Sequence, residues 1–296
     1  MSPERQENIA GPSDAEAFAF VQELARELSV GKIEIPSFPE VAVRIRRVLA
    51  DENCDSSQVA RVVSAEPAMS ATLLRMANSA GMNPRGTRIM ELKGAIARIG
   101  FSNVRTASLA YAMEQIRKAP ALAPIRAPLN DLWERSVRVA AMAFVVARTW
   151  TQVSPDQALL AGLMHGMGRV YILTRAAKHP VLFADVPTYQ KIVRDWHSAI
   201  AKAVLESWEI PSDIVDAVER FEELEREGEG EEAPDLTDVL AIASLLVSLE
   251  GDPDAMDIQL ARASAARRLG ITQESCQKVL REAADDLNSL RSVLGG

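Results

Sequence analysis

Apolar residues recur along most of this chain at positions i, i+3, i+4 and i+7. That spacing is typical of a helix with one buried face, whereas a half-buried strand would alternate apolar and polar residues with a period of two. No stretch shows sustained period-two alternation. The sequence therefore predicts an all-α protein built as a multi-helix bundle.

Prolines, glycines and capping residues divide the periodic stretches into separate helices. One helix is expected to begin at Pro39, where proline suits the first helical position, and a short helix is expected to end near Ser64. The other predicted helices span approximately 14–30, 67–80, 91–99, 102–116, 129–150, 155–177, 188–208, 212–226 and 272–294.

Two irregular segments interrupt this series. Residues 119–128 read APALAPIRAP, and their prolines predict a connector at the boundary between two helical regions. Residues 219–235 are rich in glutamate and contain glycine, so we expect a mobile acidic linker there.

Charge is unevenly distributed over a chain whose formal net charge is −8. Residues 61–126 hold ten Lys or Arg against three acids, and residues 219–257 hold fourteen acids against two Arg. We interpret both regions chiefly as solvated faces, with a surface for a charged partner as the alternative. The basic region has no aromatic platform and no recognisable DNA-binding motif, so nucleic acid is not an expected partner.

The cysteines and the longest apolar run indicate the compartment. Cys54 and Cys276 show no C-x-x-C spacing, which argues against a disulfide framework or a thiolate metal site. Residues 139–147 are apolar but far short of the roughly 20 residues that span a bilayer. With no secretory signal pattern at the N-terminus, we expect a cytoplasmic protein with no membrane insertion.

The stretch 161-AGLMHGMGRVYIL-173 contains the most informative histidine, His165. We interpret His165 as a neutral histidine in the core or at a pocket edge, with ligand binding or pH sensing as the alternative. The three glycines of the stretch require close helix packing or a local break. His197 is interpreted as a packing residue that could instead face the same cavity. Asn78 is expected to tie down the backbone of the loop after it.

Several motifs in order along the chain resemble the HDOD domain, the HD-related output domain of bacterial signalling proteins. The residues that carry the resemblance are Pro36, Pro39, Glu66, Pro67, Asn78, Ser79 and Gly100. The resemblance implies an HDOD-like domain over 33–250, with helical lobes at about 33–118 and 129–250. It also implies an N-terminal helical extension over 1–32 and C-terminal helices over 251–296 that pack on the domain.

The HDOD family is related to HD-type metal phosphohydrolases, whose ligands are a first His, a His-Asp doublet and a later Asp. Arg135 stands where the first His would be expected, and the doublet reads His165 and Gly166. The later Asp is replaced by Ala243 or Ser244. Arg220 and Phe221 stand where related phosphodiesterases place paired histidines. A guanidinium cannot serve as a metal ligand, so the comparison predicts a degenerate site with no metal or other cofactor.

These observations lead to three hypotheses. The first is a non-catalytic bacterial regulatory module that acts by contact with other signalling proteins. The second is a residual metal-dependent phosphohydrolase that uses His165, His197 and carboxylates such as Asp195 or Asp156. The third is a sensor whose vacated cavity binds a nucleotide, such as a cyclic dinucleotide, or another metabolite.

Overall fold

The computed structural model of this protein describes residues 12–31, 33, 39–51, 53–79, 82–83, 86–226, 233–271, 276, 279 and 284. Within these ranges the chain folds into helices and contains no strand, which confirms the all-α prediction. The α-helices in chain order are α1 Pro12–Val30, α2 Glu40–Leu49, α3 Ser56–Val63, α4 Pro67–Ala77, α5 Leu92–Lys118, α6 Arg126–Trp150, α7 Pro155–Met164, α8 Met167–Ala176, α9 Pro180–Ala184, α10 Val186–Ser207, α11 Ser212–Arg220, α12 Leu236–Ser248, α13 Pro253–Arg262 and α14 Ser264–Leu269.

The buried apolar side chains form two clusters, which we call the N-terminal core and the C-terminal core. In the N-terminal core, α2, α3 and α4 pack against the first half of α5. In the C-terminal core, α6 packs against both α7 and α12, while α10 packs against α8 and α11. The division between the cores falls inside α5, since Ala107 belongs to the first and Leu109 to the second.

Helix α5 therefore joins the two cores, and it bends at a glycine. Gly100 has φ of +78° and ψ of 163°, a backbone conformation that side chains with a Cβ rarely adopt. Gly100 therefore divides α5 into two helical arms, which confirms the two helices predicted on either side of it.

Helix α1 packs on the C-terminal core rather than the N-terminal core. Phe20 and Leu24 are buried there, and Phe20 meets the edge of the His179 ring. The Glu27 carboxylate pairs with Arg175 at 3.0 Å and accepts a hydrogen bond from the Tyr171 hydroxyl. These contacts fasten the N-terminal helix to α8 and to the residues just before α9.

Helix α12 is held at its N-terminus by charge. Asp235 caps the helix, and the buried Asp238 carboxylate accepts hydrogen bonds from Arg268 Nε at 2.8 Å and from Arg226 Nη1 at 3.3 Å. A buried carboxylate is stabilised only when such partners replace its hydration. This network ties α12 to α14 and fixes the helix that faces α6.

The structure corrects three predicted helix boundaries. The predicted connector over 119–128 is a 3₁₀ helix over Pro120–Ile125, after which α6 begins at once. The helix predicted over 212–226 ends at Arg220, because the chain turns where Phe221 is buried against the C-terminal core. The stretch predicted as helix over 155–177 is broken between α7 and α8, the local break that its glycines allow.

Some predicted features fall outside the described residues. Pro36, most of the final helix predicted over 272–294 and residues 227–232 of the acidic segment are among them. In the described ranges, no helix is both long enough and apolar enough to cross a bilayer.

Gly162 lets α7 approach α6 closely. A Cβ built at Gly162 would lie 2.4 Å from Ala140 Cα and 2.7 Å from Ala140 N, and backbone atoms cannot swing aside as a side-chain end can. This contact sets the spacing between α6, which carries Arg135, and α7, which ends just before His165.

We expect Gly162→Ala to lower the free energy of unfolding by about 2 kcal/mol or more, because it forces α6 and α7 apart. Gly94→Ala is the matched control: its Cβ would meet only Ile89 Cγ2 at an ordinary 3.5 Å. Alanine is the better helix former, so that variant should be unchanged or up to about 1 kcal/mol more stable. Urea unfolding of both variants measures the difference, and equal stabilities would contradict the packing argument.

Candidate functional site

Arg135 lies on α6 and faces α12 in the C-terminal core. Its Nη2 donates hydrogen bonds to Ser248 Oγ at 2.7 Å and to Ser244 Oγ at 3.4 Å. The two positions singled out as replaced ligands, Arg135 and Ser244, are 109 residues apart in sequence and in contact in the fold. At these two positions the structure therefore has a guanidinium cation, from Arg135, in contact with a hydroxyl group, from Ser244.

His165 occupies the turn between α7 and α8 and is only 3% exposed. Its Nδ1 lies 2.7 Å from the Gly162 carbonyl oxygen, which can only accept, so Nδ1 carries the proton and donates. The ring also meets the Phe221 ring edge-on, with 5.7 Å between centroids. His165 therefore has the contacts of a core histidine, as the sequence predicts.

Burial lowers the pKa of His165 to about 4. The Gly162 carbonyl and Glu222 favour the protonated ring, but the positive charges of Arg135 and Arg169 oppose it. The imidazole is therefore neutral at pH 7.

His197 lies on α10 and bonds to the segment that follows α11. Its Nε2–H donates to Glu222 Oε2 at 3.0 Å, and Arg169 Nη2 donates to Glu222 Oε1 at 2.7 Å. Burial raises the pKa of the Glu222 carboxyl, but the hydrogen bond and charge of His197 together with Arg169 outweigh burial and bring it to about 2. The Glu222 carboxylate is therefore ionised and holds both donors.

Two glycines leave room for close packing around these histidines. A Cβ at Gly166 would lie 3.0 Å from Ser136 Oγ, and a Cβ at Gly168 would lie 1.8 Å from the carbonyl oxygen of His197. Gly168 thus allows α8 to press against α10. A carboxylate at position 166 would have to displace the Ser136 hydroxyl.

Arg135, His165, Arg169, His197 and Glu222 act on one another electrostatically, and we call them the Arg135 cluster. A divalent metal in this fold needs several imidazole and carboxylate groups that converge on one point. Here two guanidiniums are part of the cluster, and His197 Nε2 already donates its proton to Glu222. In the described ranges, no group of three or more His, Cys, Asp and Glu side chains could hold a metal ion. These residues do not fit a catalytic metal.

The other motif residues serve the N-terminal part of the fold. Pro39 and Glu66 precede α2 and α4, and Pro67 opens α4. Asn78 Nδ2 donates to Ile89 O, and Asn78 Oδ1 accepts from Ile89 N, each at 2.8 Å. Asn78 therefore ties down the loop after α4, as predicted.

Ser79 has a similar local contact, since its Oγ donates to Met76 O at 2.8 Å. Together with the bend at Gly100, these contacts give the motif residues structural roles. Among the contacts that the structure describes, none joins these residues to the Arg135 cluster.

A model of the HDOD domain matches residues 35–224 of this chain of 296 residues. The chain belongs to the HDOD family. This match confirms the resemblance that the sequence motifs indicate.

One relative is similar in sequence over much of this chain. An uncharacterized protein of Treponema pallidum (strain Nichols) is 23% identical over 223 residues, which are 70% of this chain and 41% of that protein. The chain therefore spans about two fifths of the length of this relative.

Two crystal structures resemble this HDOD protein in fold. One, from Shewanella amazonensis SB2B, is named as a candidate metal-dependent phosphohydrolase and has a TM-score of 0.74 at 24% identity, covering 95% of this chain and 99% of its own. The other, from Marinobacter aquaeolei VT8, is named as a candidate signal transduction protein and has a TM-score of 0.61 at 19% identity, covering 98% and 68%. At these identities the likeness establishes the fold.

Two members of the Arg135 cluster were not predicted from the sequence. Arg169 follows His165 by four residues, and because the sequence predicts one helix over 155–177, that spacing could have placed both side chains on one helical face. Glu222 lies in the segment interpreted as an acidic linker. Because that segment holds many glutamates, no sequence pattern distinguishes the one that contacts His197.

The pKa of His165 predicts a pH-dependent stability. In the unfolded chain His165 takes up a proton near pH 6.5, the usual pKa of histidine. In the folded protein the same imidazole takes up a proton only near pH 4. The unfolded state is therefore increasingly favoured as the pH falls from 6.5 to 4. Between pH 7 and pH 5 this should cost the folded protein up to about 2 kcal/mol.

We expect His165→Gln to remove that loss, because glutamine does not titrate and its amide can still donate to Gly162 O. Urea unfolding at pH 7 and pH 5 gives the comparison. A variant that loses as much stability as the parent protein over this interval would show that His165 is not held neutral.

Proposed function

We propose that this HDOD protein is a non-catalytic bacterial signalling module that acts in the cytoplasm through contacts with other proteins. The observation that carries the proposal is the Arg135 contact with Ser244 and Ser248. Arg135 and Ser244 stand at positions that would hold a metal in an HD phosphohydrolase. Here the guanidinium of Arg135 donates hydrogen bonds to the hydroxyls of Ser244 and Ser248 instead. A fold can keep its packing when its ancestral chemistry is not used.

Electrostatics supports the same conclusion. Arg135 and Arg169 add positive charge around His165, and a cation entering there would be repelled. The ionised Glu222 is already engaged by His197 and Arg169. The free thiols of Cys54 and Cys276 agree with a reducing compartment.

The N-terminal part of the fold offers a surface for a partner. Met90 and Phe101 are large apolar side chains that are 70% and 37% exposed. They lie within residues 61–126, where basic residues outnumber acidic ones by seven. Exposed apolar side chains in a segment with excess positive charge suit a partner with an acidic surface. We propose that the module binds its partner through this region.

The first test of this proposal is metal content and turnover. After equilibration with Mn²⁺ and gel filtration, the purified protein should retain far less than one metal per chain by mass spectrometry and should not hydrolyse a phosphodiester substrate above the blank. Stoichiometric metal with turnover that His165→Ala abolishes would make the protein a phosphohydrolase. His179→Ala, which alters a histidine beside α1, is the matched control.

The second test concerns the partner surface. A partner captured from the source organism and then purified should bind the double variant Met90→Ser/Phe101→Ser at least about tenfold more weakly, because the variant removes two apolar anchors. Biolayer interferometry measures the dissociation constants.

The matched control is Phe18→Ser/Ile258→Ser, which alters side chains that are 66% and 61% exposed on α1 and α13. This control should bind within about twofold of the parent protein. If the control weakens binding as much as the Met90 and Phe101 variant does, the proposed surface is wrong.

A further inference from the structure

A groove of about 680 Å³ opens beside the Arg135 cluster, between α6, α8 and α10. Its volume is in the range of sites that bind small molecules. Its charged lining consists of Arg135, Arg169, Arg194 and Asp131, and most of the remaining lining is apolar. The groove thus contains three guanidiniums and one carboxylate.

The positive charge of the groove is not fully balanced by the protein. Arg169 is paired with Glu222, whereas the hydrogen bonds of Arg135 to described residues go to the hydroxyl groups of Ser244 and Ser248. Arg194 is exposed and makes no ion pair with any residue that the structure describes. Burial, together with Arg169 and Arg138, lowers the pKa of Arg135, so its charge would be stabilised by an added anion.

An aromatic pair forms part of the wall of the same groove. Phe183 and Tyr189 meet edge to face, with ring centroids 5.5 Å apart and an interplanar angle of 75°. Burial raises the pKa of Tyr189 to about 12, so its hydroxyl remains a donor. Within the described ranges, that hydroxyl has no hydrogen-bond partner.

We propose that this groove binds a nucleotide-sized phosphate ester that carries a planar ring. A guanidinium presents paired N–H donors that match two phosphate oxygens, and Arg135, Arg169 and Arg194 line one groove. A planar ring is suited to contact the aromatic wall at Tyr189. The site goes beyond the contact function proposed above and does not depend on it.

The ligand class is set by the combination of these features. Inorganic phosphate would use the cations and leave the apolar wall exposed, whereas an uncharged nucleoside would leave Arg135 and Arg194 without an anion. The affinity of a nucleotide should therefore exceed that of either fragment.

Isothermal titration of the full chain tests the proposal, with 5′-AMP, 5′-GMP and cyclic di-GMP as nucleotide probes, and inorganic phosphate and adenosine as fragments. At least one nucleotide should bind saturably, about tenfold or more tightly than either fragment. No saturable binding of any nucleotide at millimolar concentration would overturn the proposal, as would a fragment that binds as tightly as the best nucleotide.

Point variants then locate the site. Arg194→Gln should weaken the best nucleotide about tenfold, because it removes an exposed cation that the fold does not use. Tyr189→Leu should weaken it similarly, and Tyr189→Phe should weaken it less because the ring remains. Arg61→Gln alters an exposed arginine on α3 and is the matched control, with no expected change.

Thermal melting of each variant confirms that it is folded. Unchanged nucleotide affinity in Arg194→Gln would overturn the assignment, as would equal weakening by Arg61→Gln. Either result would leave the partner-contact function standing, because that function is tested on Met90 and Phe101.

Discussion

The guanidinium of Arg135 is the constraint around which the candidate site is built. It brings a positive charge into the space between α6 and α12, and the hydroxyls of Ser244 and Ser248 take up its donors. A half-buried charge without a carboxylate partner repels cations and attracts anions. The neutral state of His165 and the engagement of Glu222 by His197 and Arg169 both agree with this local potential.

Close backbone contacts hold this arrangement in place. Gly162 brings α7 against Ala140 of α6, and Gly168 brings α8 against the backbone of His197 on α10. The buried Asp238 anchors α12 through Arg226 and Arg268. The guanidiniums of Arg135 and Arg169 are therefore carried on helices whose spacing is fixed by packing.

The helices were largely predictable from the sequence because helical periodicity is a local property. Ordered motifs also allowed Arg135 and His165 to be named as candidate site residues, whereas His197 was interpreted as a packing residue that could face the same cavity. The Arg135 contact with Ser244 did not, since it joins residues 109 apart and depends on how α6 and α12 cross. Glu222 was missed because its position beside His197 depends on the end of α11 at Arg220 and on the turn that follows. The acidic composition of this segment does not reveal that turn.

The fold likeness to a protein named as a candidate phosphohydrolase and to one named as a candidate signal transduction protein does not choose between catalysis and contact. The side chains of the site make the difference. An arginine where an HD phosphohydrolase carries a metal ligand would change which ions the same packing accepts.

The most direct measurement is a crystal structure from protein soaked in Mn²⁺, with diffraction recorded at the manganese absorption edge. The account predicts no anomalous peak among Arg135, His165 and His197, and Arg135 still bonded to Ser248. A manganese peak there, coordinated by four or more side-chain atoms, would contradict it.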